Sequence, residues 1–262
     1  MNFIFSFLLL IGGIEPDTSI ATDALDFQVD KLDHIYFIHS TFVEKLDSEG
    51  NFLFRTGDLG YGTIHSLDVS DPLKPFLYFK DQGIIYQMDN TLSLQGSIIN
   101  TFETEYNQVE CVGWSRDNNF WIWDAIQSEL SRVDGAFNRI NSSGNLQALL
   151  GKGISPRQII ESGYFVYMFD PKLGLLVFDV FGNYSSTFSL STNGPLQLTE
   201  TNVIYADSTH LHILEKNLLV ETSFPLPLSS TSRVMCSGKK MMTLQNGALL
   251  IYDLEKISAI RN

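Results

Sequence analysis

The histidines of this sequence are the side chains best suited to metal chemistry. His210 and His212 lie two residues apart in a segment expected to be a strand, so both side chains point to one face. A pair of this kind binds zinc when a third and a fourth ligand converge on it. No cysteine lies nearby in the sequence. We therefore expect exposed or hydrogen-bonded strand histidines and predict no metal site.

Hydrolytic chemistry would need a nucleophile or a pair of carboxylates in a set geometry. The Gly-x-Ser-x-Gly motif, which holds a serine on a sharp turn, does not occur, so His34, His39 and His65 are candidates by residue type alone. A glycosidase pair depends on a separation across a cleft that the sequence does not specify. The calcium-loop pattern is also missing. The sequence thus predicts no catalytic residue and no cofactor.

Three tryptophans lie close together, at Trp114, Trp121 and Trp123. In a strand, Trp121 and Trp123 share one face, and packing between neighbouring sheets explains both of them. Two roles are open for Trp114, which lies near the end of its strand. It is either a core side chain or an exposed aromatic that binds a sugar or a protein partner.

One short pattern recurs six times and must position these side chains. Each copy is an apolar strand, an acidic residue, a turn and a second strand, and the acidic anchors are Asp47, Asp89, Asp134, Asp179, Glu215 and Asp253. A bulky residue precedes each anchor by 10 to 12 positions, namely Tyr36, Tyr78, Trp123, Tyr167, Tyr205 and Met242. An acidic side chain at the end of a strand accepts hydrogen bonds from the N–H groups of a turn. We therefore expect the six carboxylates to be structural.

The anchors are spaced 36 to 45 residues apart, and four short strands in a unit of this length are typical of a propeller blade. The sequence predicts an all-β fold, a six-bladed β-propeller of four-stranded antiparallel blades. The predicted blades cover 24–62, 63–106, 107–153, 154–194, 195–229 and 230–262. A β-sandwich is the alternative, although it does not require the same unit six times.

The sixth blade is short of an outer strand, and an open sheet edge invites aggregation. Either residues 256–260 (KISAI) supply that strand, or residues 24–30 (ALDFQVD) complete the ring from the other end. Cys111 and Cys236 fall in the inner strands of the third and sixth blades, which face each other across a ring of six. Their Cα atoms should then exceed the roughly 7 Å limit for a disulfide. We predict two buried free thiols.

The N-terminus predicts export. Phe3 to Ile14 is an uncharged apolar run too short to span a bilayer, and Ser19 and Ala21 follow at the −3 and −1 positions of a signal-peptidase site. We expect a signal peptide over 1–21, with one propeller domain over 22–262. A retained anchor and a misassigned start are the alternatives. The mature protein is expected in the periplasm or cell envelope and is not expected to span the membrane.

The composition favours a folded, acidic domain. Hydrophobic residues make up 44% of the chain and charged residues 18%, which suits a sizeable core. The formal net charge is −13, with 30 acidic and 17 basic residues. Such a surface repels phosphate backbones and anionic lipid headgroups, so we expect no nucleic-acid partner.

The segment NNFWIWD (118–124) resembles the second-strand signature of exported six-bladed propellers of the NHL and YncE-like kind. DHIYFIH (33–39) and TNVIYAD (201–207) resemble weaker copies, and Asn119 replaces the usual turn glycine. The aromatic-rich and Asn-rich character is also similar to that of small envelope propellers of Bacteroidota-type bacteria. Some of those proteins attach to outer-membrane translocation or assembly machinery. The resemblance implies an accessory role in a complex of this kind.

Taken together, these features predict a non-catalytic protein-binding or scaffold propeller of the bacterial cell envelope. The aromatic side chains expected to contact the protein partner are Tyr61, Phe102, Tyr106 and Trp114. The alternative is an exported hydrolase or lyase that acts on a glycan or lactone at the mouth of the channel. A third hypothesis is a small-molecule sensor or a quinone-type redox propeller.

Overall fold

A computed structural model describes residues 15–106, 108–190, 192, 194–217, 220–226 and 233–259 of the 262-residue chain. This part of the chain folds into six four-stranded antiparallel sheets. The apolar run from Phe3 to Ile14 lies outside the described residues. Within them, no helix is long and apolar enough to cross a membrane.

Each of the first five blades is formed by four strands that are consecutive in the chain. In the first blade the strands are β2 (Asp26–Val29), β3 (Ile35–Ile38), β4 (Val43–Leu46) and β5 (Phe52–Arg55). In the second they are β6 (Ser66–Asp68), β7 (Phe76–Phe79), β8 (Ile84–Gln87) and β9 (Ile99–Asn100). In the third they are β10 (Val109–Ser115), β11 (Asn119–Asp124), β12 (Glu129–Val133) and β13 (Arg139–Ser142).

The fourth blade contains β14 (Gln158–Ser162), β15 (Phe165–Asp170), β16 (Gly174–Asp179) and β17 (Tyr184–Phe188). The fifth contains β18 (Gln197–Leu198), β19 (Asn202–Ala206), β20 (His210–Glu215) and β21 (Glu221–Pro225). The sixth contains β22 (Val234–Ser237), β23 (Lys240–Gln245), β24 (Ala248–Asp253) and β1 (Thr18–Ala21). The α-helices of the described residues are α1 (Leu146–Leu150) and α2 (Leu254–Ala259). The predicted six-bladed β-propeller is confirmed, and β2 to β24 fall within the predicted blade limits.

The outer strand of the sixth blade comes from neither segment expected to supply it. Strand β1 pairs antiparallel with β24, from Thr18 opposite Ile251 to Ala21 opposite Ala248. Residues 24–30 instead contain β2, the innermost strand of the first blade, and residues 256–259 lie in α2. The ring is therefore closed by the N-terminal side of the chain, upstream of the predicted segment. Cleavage after Ala21 stays a prediction, and it would remove β1 from the sixth blade.

The repeated bulky residues form the apolar layers between blades. All six lie in the second strand of their blades, and all six are buried. Apolar side chains next to them in the sequence point to the opposite side of the sheet, because side chains alternate along a strand. Six apolar clusters result among the described residues, one between each pair of neighbouring blades. Each blade thus buries its two faces against copies of itself.

Five of the six acidic anchors accept hydrogen bonds from turn N–H groups, as predicted: Asp47, Asp89, Asp134, Asp179 and Asp253. Asp134 accepts hydrogen bonds from the N–H groups of Ala136 and Asn138, both at 2.9 Å, and from the Asn138 side chain. Asp47 and Asp179 accept the same set of bonds from the residues two and four positions later. The hydrogen bond from the Asn138 side chain holds the pKa of Asp134 below its usual value, followed by the backbone donors. Asp253 accepts from the N–H of Glu255 at the start of α2.

One inner strand approaches its neighbour too closely for any side chain. A Cβ atom on Gly113 in β10 would lie 2.3 Å from the carbonyl oxygen of Ile159 in β14. Real Cβ atoms do not come this close to backbone, so the position requires glycine. The third and fourth blades are consequently in direct backbone contact near the axis.

Candidate functional sites in the channel and on the rim

A cavity of about 600 Å³ is lined by residues at or beside the first strands of all six blades. This cavity is the central channel of the propeller. Its volume lies in the range of small-molecule sites, so the lining side chains decide what it can do.

Glutamine side chains from three first strands fasten neighbouring blades together. The Gln158 amide donates to the carbonyl oxygen of Leu196 and accepts from its N–H, both at 2.9 Å. Gln197 makes the same pair of bonds with Cys236, at 2.6 and 2.8 Å. Gln28 donates to the carbonyl of Leu67. Each amide thereby satisfies backbone groups that a neighbouring strand would otherwise pair.

Charged side chains fasten the other three junctions. Arg233 of the sixth blade forms a bidentate pair with Asp26 of the first, with both contacts at 2.8 Å. Asp68 of the second blade accepts from the backbone N–H of Trp114 in the third at 3.0 Å. Glu161 of the fourth blade accepts hydrogen bonds from three side chains of the third, namely Ser115, Arg116 and Trp121.

The electrostatics of these carboxyls follow from their partners. Burial alone would raise the pKa of Glu161, but hydrogen bonds from Ser115, Arg116 and Trp121 outweigh it and hold that pKa below its ordinary value. Burial raises the pKa of Asp68, despite donors from Ser70 and Trp114. At each of the six blade junctions, a polar side chain of the channel wall bonds to the neighbouring blade. These side chains therefore have structural roles.

His65 lies on the channel wall and is oriented edge-on to the Tyr78 ring, with centroids 6.2 Å apart. Desolvation by the wall, followed by the Lys80 ammonium, lowers the pKa of His65. The lowered pKa favours the neutral imidazole, which is able to accept a proton. His34 instead contacts Asp30, and His39 stacks on Phe42. Of the three, only His65 lines the described channel.

His210 and His212 are hydrogen-bonded strand histidines, as predicted. Two carboxylates bind opposite nitrogens of His212: Nε2 lies 2.9 Å from Asp207 and Nδ1 lies 3.0 Å from Glu221. The ring stacks on Tyr205 at 4.7 Å. Because the carboxylates lie on opposite edges of the ring, they do not converge on one point. No group of three or more His, Cys, Asp or Glu side chains within the described ranges is placed to hold a metal ion.

The two cysteines are free and buried, and they lie in the first strands of the third and sixth blades, as predicted. Burial raises the pKa of each thiol to about 12. Both side chains are therefore neutral thiols at physiological pH, and neither has the thiolate character of a nucleophile.

The four aromatic residues expected to bind a partner have different positions. Phe102 is exposed, and Tyr61 is half-buried against the rings of Phe79 and Tyr86. Tyr106 and Trp114 are buried between the second and third blades. These two side chains are therefore core residues and are not accessible to a partner. The reason is that both fill the layer in which the Trp114 ring stacks on Phe120 at 4.8 Å.

Exposed apolar side chains are spread over the described chain, and two groups of them lie close together in the sequence or at one end of a blade. Phe52, Leu53 and Phe54 are consecutive in β5, the outer strand of the first blade, and all three are exposed. A second group lies at one end of the fourth blade, where Tyr164 and Phe181 are exposed in turns that flank β15 and β16. Exposed apolar patches of this kind mark interaction surfaces.

Two features of these sites were missed by the sequence analysis, although both have a signal. The bridging glutamines each stand next to an apolar residue in a first strand, in DFQVD, PRQII and PLQLT. The exposed β5 residues follow one another without a polar residue, where a half-buried strand would alternate.

No family model matches this chain, and no curated protein matches it. Its fold is similar to that of a streptogramin B lyase, at 10% identity over 90% of this chain and 86% of the other, with a TM-score of 0.58. It is also similar to the Pan2 WD40 domain of Neurospora crassa, at 9% identity over 91% of this chain and 77% of the other, with a TM-score of 0.54. The virginiamycin B lyase of Staphylococcus aureus is similar at 7% identity over 86% of this chain and 79% of the other, with a TM-score of 0.55. At these identities the likeness shows the propeller fold alone, and it agrees with the resemblance to propellers found in the sequence.

Proposed function

We propose that this protein is a non-catalytic protein-binding scaffold of the bacterial cell envelope. The observation that supports this function most directly is the exposure of Phe52, Leu53 and Phe54 on the outer strand of the first blade. Burying such side chains against a partner is favourable, whereas leaving them in water contributes nothing to the fold. The polar groups of the channel wall, by contrast, join the blades to one another.

The location is part of the same proposal. The apolar N-terminal run and the resemblance to exported propellers support export to the periplasm or envelope. The resemblance to envelope propellers further supports an accessory role in an outer-membrane translocation or assembly complex. The net charge of −13 makes nucleic acid an unsuitable partner.

Affinity purification of the tagged full-length chain from solubilised envelopes of its native cells tests this function. We expect one protein to be recovered reproducibly and in near-stoichiometric amount, as judged by mass spectrometry. A chain recovered as a monomer, with no partner after mild chemical crosslinking, would contradict the proposal. Fractionation of the same cells tests the location, and recovery in the cytoplasmic fraction would contradict export.

A hydrolase or lyase with its site at the channel mouth is the second candidate. The neutral imidazole of His65 on the wall of a 600 Å³ channel favours it. Purified protein should then open a lactone or cleave a glycan, and His65→Ala should abolish turnover while the fold is retained. The scaffold proposal predicts no turnover by the wild-type protein.

A further inference from the structure

We propose that β5 of the first blade is the docking site for the partner and that the partner is a protein with an apolar patch bordered by Lys or Arg. This inference rests on the proposed scaffold function and specifies its contact surface. The docking surface consists of Phe52, Leu53, Phe54 and Arg55.

The docking surface is open along its whole length. All four residues are exposed, with 62% of Phe52, 36% of Leu53 and 38% of Phe54 accessible. Strand β5 is the outer edge of its sheet, since β4 pairs with it on one side only. None of the three apolar side chains belongs to the cluster on either side of the blade. Removing them would therefore leave the core intact.

The other blades provide an internal comparison. Lys45 lies opposite Phe54 and Leu46 opposite Phe52, so Leu53 is the extra residue of a β-bulge. The third and fourth blades have a bulge at the same place, with Ile140 and Ser185 as the extra residues.

The neighbours of the bulge residue differ between these blades. They are Arg139 and Asn141 in the third blade and Tyr184 and Ser186 in the fourth, against two phenylalanines in the first. The same backbone geometry therefore forms with polar side chains at two of the three positions. The remaining residue is Ile140 in the third blade and the half-buried Tyr184 in the fourth. Three apolar residues in one copy are not required by the fold, and a binding role explains them.

Arg55 is held in place at the end of the docking surface. Its guanidinium lies 3.8 Å above the Phe42 ring, and the His39 ring stacks on Phe42 at 4.1 Å. Glu44 lies 3.9 Å from the same guanidinium. A stacked arginine beside exposed aromatic rings has the composition of a binding hot spot, because little side-chain entropy remains to be lost.

The charged residues beside β5 indicate which kind of partner fits the docking surface. The exposed carboxylates of Glu49 and Asp58 lie just before and just after β5. They complement basic groups around an apolar patch. A second copy of this chain carries the same −13 charge and would place these carboxylates against another acidic surface. An anionic membrane is disfavoured for the same reason.

Site-specific photocrosslinking in the native cells tests the docking surface. A benzophenone amino acid replaces Leu53 in one strain and Ser185, the matching bulge residue of the fourth blade, in another. We expect one crosslinked protein species from position 53 and at least tenfold less from position 185. The crosslinked peptide should map to an apolar segment with Lys or Arg close to it. The double variant Glu49→Gln/Asp58→Asn should reduce the crosslink severalfold.

Several results would overturn this inference. In the photocrosslinking experiment they are equal crosslinking at both positions, no crosslink at position 53, or a crosslink that joins two copies of this chain. In a separate experiment, flotation of the purified protein with vesicles containing phosphatidylglycerol would also overturn it. If affinity purification still recovers a partner, these results remove the docking surface and leave the scaffold function standing. If no partner is recovered either, both proposals fail.

Discussion

At the scale of single residues, a glutamine amide substitutes for a strand edge. The first strands of neighbouring blades are not joined by a ladder of backbone bonds, and yet their N–H and C=O groups face one another. Gln158 and Gln197 carry a donor and an acceptor at the spacing of a peptide unit, so each pairs with both groups of one residue. The junctions of blades four, five and six are fastened in this way.

Replacement of Gln197 should therefore destabilise the ring. Gln197→Ala leaves the N–H and carbonyl of Cys236 without this partner, and we expect a loss of about 1–3 kcal/mol. Urea denaturation measures this loss in the free energy of unfolding, provided that its dependence on urea concentration is unchanged. Gln95→Ala, at an exposed position, serves as the control and should change stability by less than about 0.5 kcal/mol. Equal effects of the two substitutions would contradict the bridging role.

The acidic anchors should make the protein sensitive to acid. Hydrogen bonds in the turns lower the pKa values of Asp47, Asp89, Asp134 and Asp179 in the folded state. The folded protein then binds fewer protons than the unfolded chain near pH 4. The stabilisation is complete above the unfolded value of about 3.9 and is lost as the pH falls through the lower folded values.

Urea midpoints measured from pH 6 to pH 3 test this dependence. The wild type should lose stability below about pH 4. The variant Asp134→Asn/Asp179→Asn should show a shallower loss, because its turn acceptors no longer titrate. Identical pH profiles would show that the two carboxylates do not bind their turns as ions.

The residue types predicted the turn carboxylates and the free thiols, since both depend on local chemistry and on the order of the blades. Exposure was harder to predict. Tyr106 and Trp114 were expected to contact a partner, with core packing left open for Trp114. An aromatic near a strand end has the same sequence context whether it faces a loop or the next blade. The neighbouring blade decides, and its distance from that side chain is not encoded in the local pattern.

At the scale of elements, the sixth blade depends on a strand from the other end of the chain. The Asp17 N–H binds the Ile251 carbonyl and the Thr22 N–H binds the Gly247 carbonyl, at the two ends of the β1–β24 pairing. The Asp17 carboxylate also accepts from the N–H of Asp253 and contacts Lys256. The segment around β1 therefore belongs to the folded propeller.

Two truncated chains measure the contribution of β1. A chain that starts at Glu15 retains the strand, whereas one that starts at Thr22 exposes the edge of β24. We expect the shorter chain to be less stable by about 2–4 kcal/mol, from the loss of several backbone hydrogen bonds, and to aggregate more readily. Equal thermal midpoints would show that β1 does not close the ring.

Gly113 tests the close contact between the third and fourth blades. Gly113→Ala forces the β10 and β14 backbones apart, because its Cβ would lie 2.3 Å from a carbonyl oxygen, and we expect a loss of about 1–3 kcal/mol or more. Gly135→Ala is the matched control, since nothing lies within 4 Å of that position. Differential scanning calorimetry should show a large shift for the first variant only. A small shift for Gly113→Ala would contradict this contact.

The elements themselves were predictable to different degrees. The second and third strands of each blade carry the bulky residue and the acidic anchor, so their positions followed from the sequence. Outer strands are short and half-exposed, and their apolar pattern is weak. Strand β1 is a four-residue segment, TSIA, that resembles a signal-peptidase site as much as a strand. Only its pairing with a strand more than two hundred residues later reveals its role.

At the scale of the whole molecule, six similar blades give an internal standard for function. Residues at equivalent positions of the six blades fill the apolar layers and form the channel wall. The fold places the same requirement on each of these positions in every blade. A position that differs in one blade without a packing reason points to binding. Strand β5 meets this condition because the third and fourth blades form the same bulge with polar residues at two of the three matching positions.

Partner recovery with a blade-exchange variant tests the central claim most directly. The variant F52Y/L53S/F54S gives β5 the residues of the fourth blade, and Tyr164→Ser/Phe181→Ser removes a second pair of exposed aromatic side chains as a control. Both should keep the thermal midpoint of the wild type. We predict at least a tenfold loss of co-purified partner for the β5 variant and no loss for the control. Full recovery of the partner by the folded β5 variant would contradict the account.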